Sequence, residues 1–190
     1  MTRAIAIVAI PGIGEVAGGE TLGALVAGAA ATADLGLGDD DIVCISQKAV
    51  SKAEGRVRSL TDVEPSEHAR KLAAELGKDP RMVELVLGES RRVVRAERGV
   101  LIAETHGGWI CANAGIDASN LPGADRVALL PVDADASARR IRAEILAACA
   151  TRPGVVVSDS FGRPWRNGQA DIAIGCAGVV AVDDLSLIHI

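Results

Sequence analysis

The pattern of apolar and polar positions predicts a chain that mixes strands with helices. Short apolar runs bounded by turn residues predict buried strands at 4–10, 41–47, 126–131 and 154–159. Longer segments with helical spacing predict helices at 21–35, 65–76 and 135–150. Because strands and helices do not alternate strictly, we predict an α+β fold with mixed β-sheets and flanking helices.

Capping and turn residues refine the predicted boundaries. Gly77 follows the last apolar residue of one helix, and Asp79 with Pro80 predicts the start of the next. Asp135 or Ser137 is the expected cap of the helix at 135–150. The stretch 91–115 is predicted to form short strands, with breaks at Arg98-Gly99 and Gly107-Gly108.

The composition limits the kind of protein. The 190 residues fit one domain, and 49% of them are hydrophobic but only 2% are aromatic. The core is therefore expected to consist of Ala, Val, Leu and Ile. Few aromatic side chains and a net charge of −5 argue against a nucleic-acid partner, which needs stacking platforms or a basic face.

Cysteine usage and hydropathy indicate the compartment. None of the four cysteines forms a C-x-x-C pair, and their spacing matches no zinc site, so we expect free thiols in a reducing cytoplasm. The apolar run 4–10 is too short to cross a bilayer, so we expect no membrane association and a cytoplasmic protein.

A glycine-rich segment, "GIGEVA" at 12–17, follows the first predicted strand and fits the dinucleotide-binding pattern G-x-G-x-x-A. That pattern also requires an acidic residue at the end of the second strand. Gln47 and Lys48 stand there instead, so the dinucleotide interpretation fails this test. The alternatives that remain are a turn whose N–H groups face a phosphate or base, and a plain tight turn.

A basic segment, "SQKAVSKAEGRVR" at 46–58, follows the second predicted strand. It carries Lys48, Lys52, Arg56 and Arg58 around one carboxylate, Glu54. Loops after buried strands often form binding sites, and lysine offers a compact charge to phosphate oxygens. The alternative is a solvated basic turn.

Two aspartates are candidate ligands of a hard cation. Asp117 lies in the polar stretch "ANAGIDASN", and Asp159 follows "GVVVS" and precedes the hydroxyl of Ser160. Mg²⁺ and Mn²⁺ prefer oxygen ligands, often one or two carboxylates together with substrate phosphates. The residues alone support a metal site and a purely structural role about equally. In the structural role, Asp117 would form a turn and Asp159 would cap a helix.

Several long segments occur in one order over residues 40–180: "SKAEGRVR", "GKDPRMVELVLGES", "CANAGIDASN", "LLPVDADASARRIR" and "SDSFGRPWRNGQADIAIGCAG". In this order they resemble the coenzyme F420-0:L-glutamate ligase family, the GTP-dependent γ-glutamyl ligases of deazaflavin coenzyme biosynthesis. The resemblance implies a γ-glutamyl ligase-like fold in an intertwined homodimer. It also implies that GTP activates the carboxylate of coenzyme F420-0 as an acyl phosphate, which the amine of L-glutamate attacks.

The resemblance also implies roles for residues of this chain. Asp117 and Asp159 match ligands of one divalent metal, Mg²⁺ or Mn²⁺, and Ser160 matches a ligand of a second. The positions that match GTP contacts are Ile13, Gly14, Glu15, Val16, Gln47, Lys48, Lys52 and Asn120. Among them, Lys52 matches the lysine on the phosphate side, for which we expect the catalytic role.

The end of the chain departs from the family pattern, whose members continue well beyond residue 190. We therefore expect residues 1–185 to form a C-terminally truncated ligase domain and residues 186–190, "SLIHI", to be a tail that is not native sequence. A second metal site would then lack an acidic ligand. The alternative functions are an inactive remnant that binds GTP or deazaflavin without turnover, and a nucleotide-dependent oxidoreductase that uses "GIGEVA".

Overall fold

The computed structural model describes residues 4–119, 121, 123, 125–162 and 169–181. Its helices are α1 (Leu22–Thr32), α2 (Gln47–Ala53), α3 (Glu67–Leu76), α4 (Pro80–Gly88) and α5 (Ala134–Cys149). Its strands are β1 (Ile42–Ser46), β2 (Val57–Ser59), β3 (Ser90–Glu97), β4 (Val100–Thr105), β5 (Ile110–Ala112), β6 (Arg126–Ala128), β7 (Gly154–Gly162) and β8 (Gln169–Ala177). The predicted α+β class is confirmed.

Among the described residues the strands form three small sheets, and two of them matter for the site. In the first, β1 pairs with β7 in parallel and β7 pairs with β8 antiparallel. In the second, β3, β4 and β5 form an antiparallel meander. The pair β2 and β6 makes the third. This mixture of parallel and antiparallel pairing agrees with the predicted mixed sheets.

In the part of the chain that the structure describes, two hydrophobic clusters form the core. One packs α1, α2 and α5 against β1, β7 and β8, and the other packs α3 and α4 against the meander. Small and branched aliphatic side chains dominate both clusters. The composition predicted such an aliphatic core.

Most helix ends lie where the capping residues predicted them. Gly77 ends α3 with a φ of 65°, a left-handed conformation that glycine adopts without strain. The side chain of Asp79 accepts a hydrogen bond from the N–H of Arg81 at the start of α4. The predicted cap of α5 was wrong, because Asp133 caps this helix and accepts from the N–H of Ala136.

The predicted strand at 4–10 was also wrong. These residues belong to no strand, and Ile5 and Ile7 are 93% and 96% exposed. A strand needs a neighbour to accept and donate its backbone hydrogen bonds, and in the described structure no other strand pairs with this run. The apolar pattern predicts that a segment would gain from burial, but it does not supply the partner.

Two local predictions near the site also need correction. The basic segment after β1 is not a turn, because the chain enters α2 directly at Gln47 and carries Lys48 and Lys52 on that helix. The strand that carries Asp159 does not stop there but continues to Gly162, so Asp159 lies within a strand and caps no helix. Within the residues that the structure describes, no helix is long and apolar enough to span a membrane.

Candidate active-site cleft

A cleft of about 1240 Å³ lies between the β1–β7–β8 sheet and the β3–β4–β5 meander. The first sheet and the start of α2 contribute mostly polar and charged side chains to it, including Gln47, Lys48 and Asp159. The meander contributes mostly apolar ones. The two walls of the cleft therefore differ in chemistry.

Parallel pairing places the polar residues side by side. In the register of β1 and β7, Ser46 is opposite Ser158, so both strands lead into the cleft at the same level. Gln47 and Lys48 follow β1 directly, and Asp159 follows Ser158 on β7. Carboxyl ends of adjacent parallel strands commonly form binding sites for this geometric reason.

Asp117 is held in the cleft by Lys48. The ammonium Nζ of Lys48 lies 2.7 Å from Oδ2 of Asp117 and also donates to the carbonyl and hydroxyl oxygens of Ser119. The N–H of Ser119 donates to Oδ1 of Asp117 at 2.7 Å, which makes Asp117 a turn former as well. Burial opposes ionisation of Asp117, but these hydrogen bonds and the charge of Lys48 outweigh it and lower its pKa.

Asp159 has the opposite electrostatic environment. Burial raises the pKa of its carboxyl above the ordinary value, and the negative charges of Asp117 and Asp171 raise it further. The N–H of Ser160 and the charge of Lys48 oppose the rise without cancelling it. The ionised form of Asp159 is therefore short of positive charge, and a bound cation would supply it.

Ser160 is the next residue along β7, and its side chain leaves the opposite face of the strand from that of Asp159. Its hydroxyl donates to Oδ1 of Asp171 at 2.5 Å, and the two residues are direct partners in the register of β7 and β8. Since the hydroxyl proton is used by Asp171, the lone pairs of the Ser160 oxygen are left to accept or to ligate. The alternation suits two separate ligand positions better than a single one.

The donor atoms are compatible with a hard divalent cation. Asp117, Asp159 and Ser160 offer only oxygen ligands, the type that Mg²⁺ and Mn²⁺ prefer. No group of three or more Asp, Glu, His or Cys side chains that could hold an ion occurs among the described residues. Mg²⁺ commonly uses one or two carboxylates and completes its shell with water and substrate phosphates, so the pair of aspartates fits that mode.

The glycine-rich loop lies apart from this cleft. Ile13, Gly14, Glu15 and Val16 line a separate groove of about 540 Å³ against α1. Lys52 does not line the cleft, and its Nζ lies 2.5 Å from Oε1 of Glu15. The structure therefore brings Gln47, Lys48, Asp117, Asp159 and Ser160 together, whereas Lys52 ties α2 to the loop. Asn120 lies outside the described residues.

Sequence reasoning missed three residues of the cleft. Ser119 shares the ammonium of Lys48 with Asp117, and Asp171 accepts from Ser160. Asn113 has a buried Oδ1 with no hydrogen-bond partner in the described structure, and its φ of 50° is left-handed. Asp171 could have been noticed as an acid within the apolar run "ADIAIG". Nothing in the sequence indicates that Oδ1 of Asn113 would lack a hydrogen-bond partner.

Comparison with known proteins agrees with these motifs. A sequence profile of the F420-0:gamma-glutamyl ligase family matches residues 12–187. The chain belongs to this family. A coenzyme F420:L-glutamate ligase of Methanopyrus kandleri is 43% identical over 148 residues, which are 78% of this chain and 58% of that protein.

Two further relatives of the F420-0:gamma-glutamyl ligase family carry the same name. The one from Methanothermobacter thermautotrophicus is 38% identical over 181 residues, 95% of this chain and 71% of the relative. The one from Haloarcula marismortui is 41% identical over 184 residues, 94% of this chain and 69% of the relative. The chain thus spans 58% of the length of the Methanopyrus kandleri relative and somewhat more of the other two. The predicted boundary between residues 185 and 186 lies outside the described residues and stays a prediction.

Proposed function

We propose that this chain is a GTP-dependent ligase that joins L-glutamate to coenzyme F420-0 through an amide bond. The observation that supports this most directly is the pair Asp117 and Asp159 in one cleft with Lys48, in a chain of the γ-glutamyl ligase family. The relatives are named for the glutamate ligation, and the nucleotide and the acyl-phosphate route are our proposal.

The reaction has two balanced steps. A carboxylate oxygen of coenzyme F420-0 attacks the γ-phosphorus of GTP, forming an acyl phosphate and releasing GDP. The amine of L-glutamate then attacks the acyl carbon, forming the amide and releasing phosphate and a proton. Both steps bring several negative charges together, so catalysis depends on positioned positive charge.

Different residues of the cleft would supply this positive charge. Lys48 lies between Asp117 and Ser119 and can reach a phosphate oxygen without leaving the cleft. Asp117 and Asp159 would hold one divalent ion, and Ser160 would ligate a second. Mg²⁺ or Mn²⁺ bound there would neutralise charge on the transferring phosphoryl group. The same proposal includes a homodimer working in the cytoplasm.

In this proposal Lys52 keeps the phosphate contact that the resemblance implies and has a second role as well. Its Nζ pairs with Glu15, which lies on the loop that we assign to the nucleotide. The side chain of Lys52 is 12% exposed and that of Glu15 is 65% exposed, so the pair can open toward a bound nucleotide. We propose that Lys52 first holds the loop against α2 and then meets a phosphate when Glu15 moves away.

A product assay tests the proposal. The purified chain is incubated with GTP, Mn²⁺, coenzyme F420-0 and L-glutamate, and GDP and the glutamylated product are quantified by chromatography and mass spectrometry. We expect product with the wild-type chain and little with Asp159→Asn. Asp40→Asn changes an exposed turn residue outside the cleft and serves as the matched control.

The same assay separates the alternatives. Binding of GTP or deazaflavin without product would support an inactive remnant. Binding of NAD without binding of GTP would support an oxidoreductase instead. Near-normal product formation by Asp159→Asn would refute the metal assignment.

A further inference from the structure

The meander turns one face toward the core and the other toward the cleft. Along β4, Leu101 and Ala103 are 1% and 0% exposed and belong to the second core cluster. Val100 and Ile102 alternate with them and line the cleft. The period of two in a strand therefore gives the cleft an apolar wall made of sheet.

Neighbouring strands extend this wall. In the register, Ile102 is opposite Arg95 on β3 and Ala112 on β5. Val100 and Ile110 also line the cleft and are 44% and 57% exposed. Aliphatic side chains left open in a concave site mark a surface that a ligand or partner covers.

The residues that we assign to the nucleotide and the metals leave this wall free. They come from the loop at 13–16, helix α2, the stretch 117–120 and the strand β7. None comes from β3, β4 or β5. The cleft of about 1240 Å³ exceeds the roughly 300–1,000 Å³ of a usual small-molecule pocket. It therefore has room for a second ligand beside the phosphates.

We infer that this wall, formed by Val100, Ile102, Ile110 and Ala112, binds the deazaflavin ring of the acceptor substrate and directs its carboxylate toward Asp159. The inference rests on the proposed function. A deazaflavin is a flat, largely apolar ring system, and a flat ligand suits the surface of a sheet. The remainder of the acceptor is polar and anionic, which suits the opposite wall with Lys48 and a bound cation.

Two polar groups on the wall match the same ligand. Arg95 is the charged residue that the meander adds to the described lining. It pairs with Glu97 on the same strand, and an anionic acceptor would compete for its charge. Asn113 follows Ala112 and lines the cleft, and its buried side-chain oxygen Oδ1 has no hydrogen-bond partner in the described structure. If the amide turns toward the cleft, a ring N–H of a deazaflavin would satisfy that oxygen. Apolar surface with a few polar anchors is the usual design of a cofactor-binding site.

A titration tests the inference directly. The absorbance and fluorescence of the deazaflavin report its binding to the 190-residue chain without GTP or turnover. We expect Val100→Ser and Ile110→Ser each to weaken this binding about tenfold, because each removes apolar contact with the ring. GTP affinity, measured separately by calorimetry, should stay unchanged.

Matched variants show whether the effect belongs to the wall. Ile42→Ser changes an isoleucine that is also 57% exposed on a strand but does not line the cleft, and it should bind deazaflavin like the wild type. Asn113→Gly keeps the left-handed backbone and removes the amide, and it should weaken deazaflavin binding alone.

Three results would overturn the inference. Unchanged deazaflavin affinity in both wall variants would show that the ring binds elsewhere. Weaker GTP binding with unchanged deazaflavin binding would place the guanine on the wall. Loss of a dimer in sedimentation, with unchanged deazaflavin binding, would show that a second copy covers it. Failure of the wild-type chain to bind deazaflavin and to form GDP would instead refute the proposed function, and the inference with it.

Discussion

Replacing Gly23 by alanine should destabilise the fold, although alanine is the better helix former. Gly23 lies in the first turn of α1, where α1 crosses α5. A Cβ added there would lie 2.5 Å from the carbonyl oxygen of Ile141 and 2.8 Å from the backbone nitrogen of Ile145. It would also clash with Cβ of Glu144. Because these neighbours are backbone or the first atom of a side chain, no rotamer change can relieve the contact.

The structure gives the size of the effect. Ordinary contacts between heavy atoms lie at about 3.5–4.0 Å, so α1 must move away from α5 by about 1 Å. That movement weakens the packing between the helices, and it strains the hydrogen bond from the N–H of Gly23 to Oε2 of Glu144, which measures 2.8 Å. Overpacking costs about 1–3 kcal/mol, and a hydrogen bond to a charged group is worth about 1.5–3 kcal/mol. After a gain of about 1 kcal/mol in helix propensity, we expect a net loss of about 1.5–5 kcal/mol.

The control lies in the same helix. A Cβ at Gly28 would have no atom within 4 Å, so Gly28→Ala should raise the free energy of unfolding by about 0.5–1 kcal/mol. Urea unfolding followed by circular dichroism measures both variants against the wild type. Because α1 also lines the groove with the loop at 13–16, Gly23→Ala should weaken GTP binding too. If Gly23→Ala proved as stable as the wild type, the close packing of α1 on α5 would be refuted.

Three further predictions concern charge and reactivity. Because folding raises the pKa of Asp159, the free energy of unfolding should fall as the pH rises from the ordinary Asp pKa of 3.8 to the raised pKa of the folded chain. Asp159→Asn should remove this pH dependence and should be more stable than the wild type at pH 7, as measured by urea unfolding. Lys48→Met removes a charged hydrogen-bond partner of Asp117, so it should raise the pKa of Asp117 and lower the free energy of unfolding at pH 7 by about 1–2 kcal/mol. NMR titration of the Asp117 carboxyl checks the pKa. Burial raises the pKa of the Cys111 thiol to about 11, so mass spectrometry should find it unmodified by iodoacetamide at pH 8 while the exposed Cys149 reacts.

The sequence predicted the elements that combine a hydrophobic period with a local stop signal. Helix α3 ends at Gly77 and α4 begins after Asp79 because these residues satisfy or terminate backbone hydrogen bonds by themselves. The run at 4–10 is also apolar and is stopped by Pro11-Gly12, but a strand needs a partner as well as an end, and whether this run pairs depends on a distant strand. That dependence on distant residues is why the prediction of a strand there was wrong.

The same distinction applies to the cleft. Lys48 and Asp159 could be expected to meet, since Lys48 follows one predicted strand, Asp159 ends another, and the carboxyl ends of parallel strands share one edge of a sheet. The pairing of Ser160 with Asp171 could not be expected, because it depends on the register of β8 and includes a shift near Val157. The apolar wall of the cleft likewise depends on which face of the meander packs on the core.

The two aspartates of the cleft show how the fold prepares a charge for a ligand. Lys48 compensates Asp117, so the ionised form of that carboxylate stabilises the folded chain at neutral pH. Asp159 lacks such a partner among the described residues, and its ionised form lowers stability. A carboxylate that lowers stability is retained where binding requires it. A bound cation or substrate supplies the missing positive charge and so stabilises the folded chain. Neutralising Asp159 should therefore stabilise the fold and reduce activity. Neutralising Asp117, which Lys48 compensates, should not stabilise the fold, so Asp159 distinguishes a binding role from a structural one more clearly.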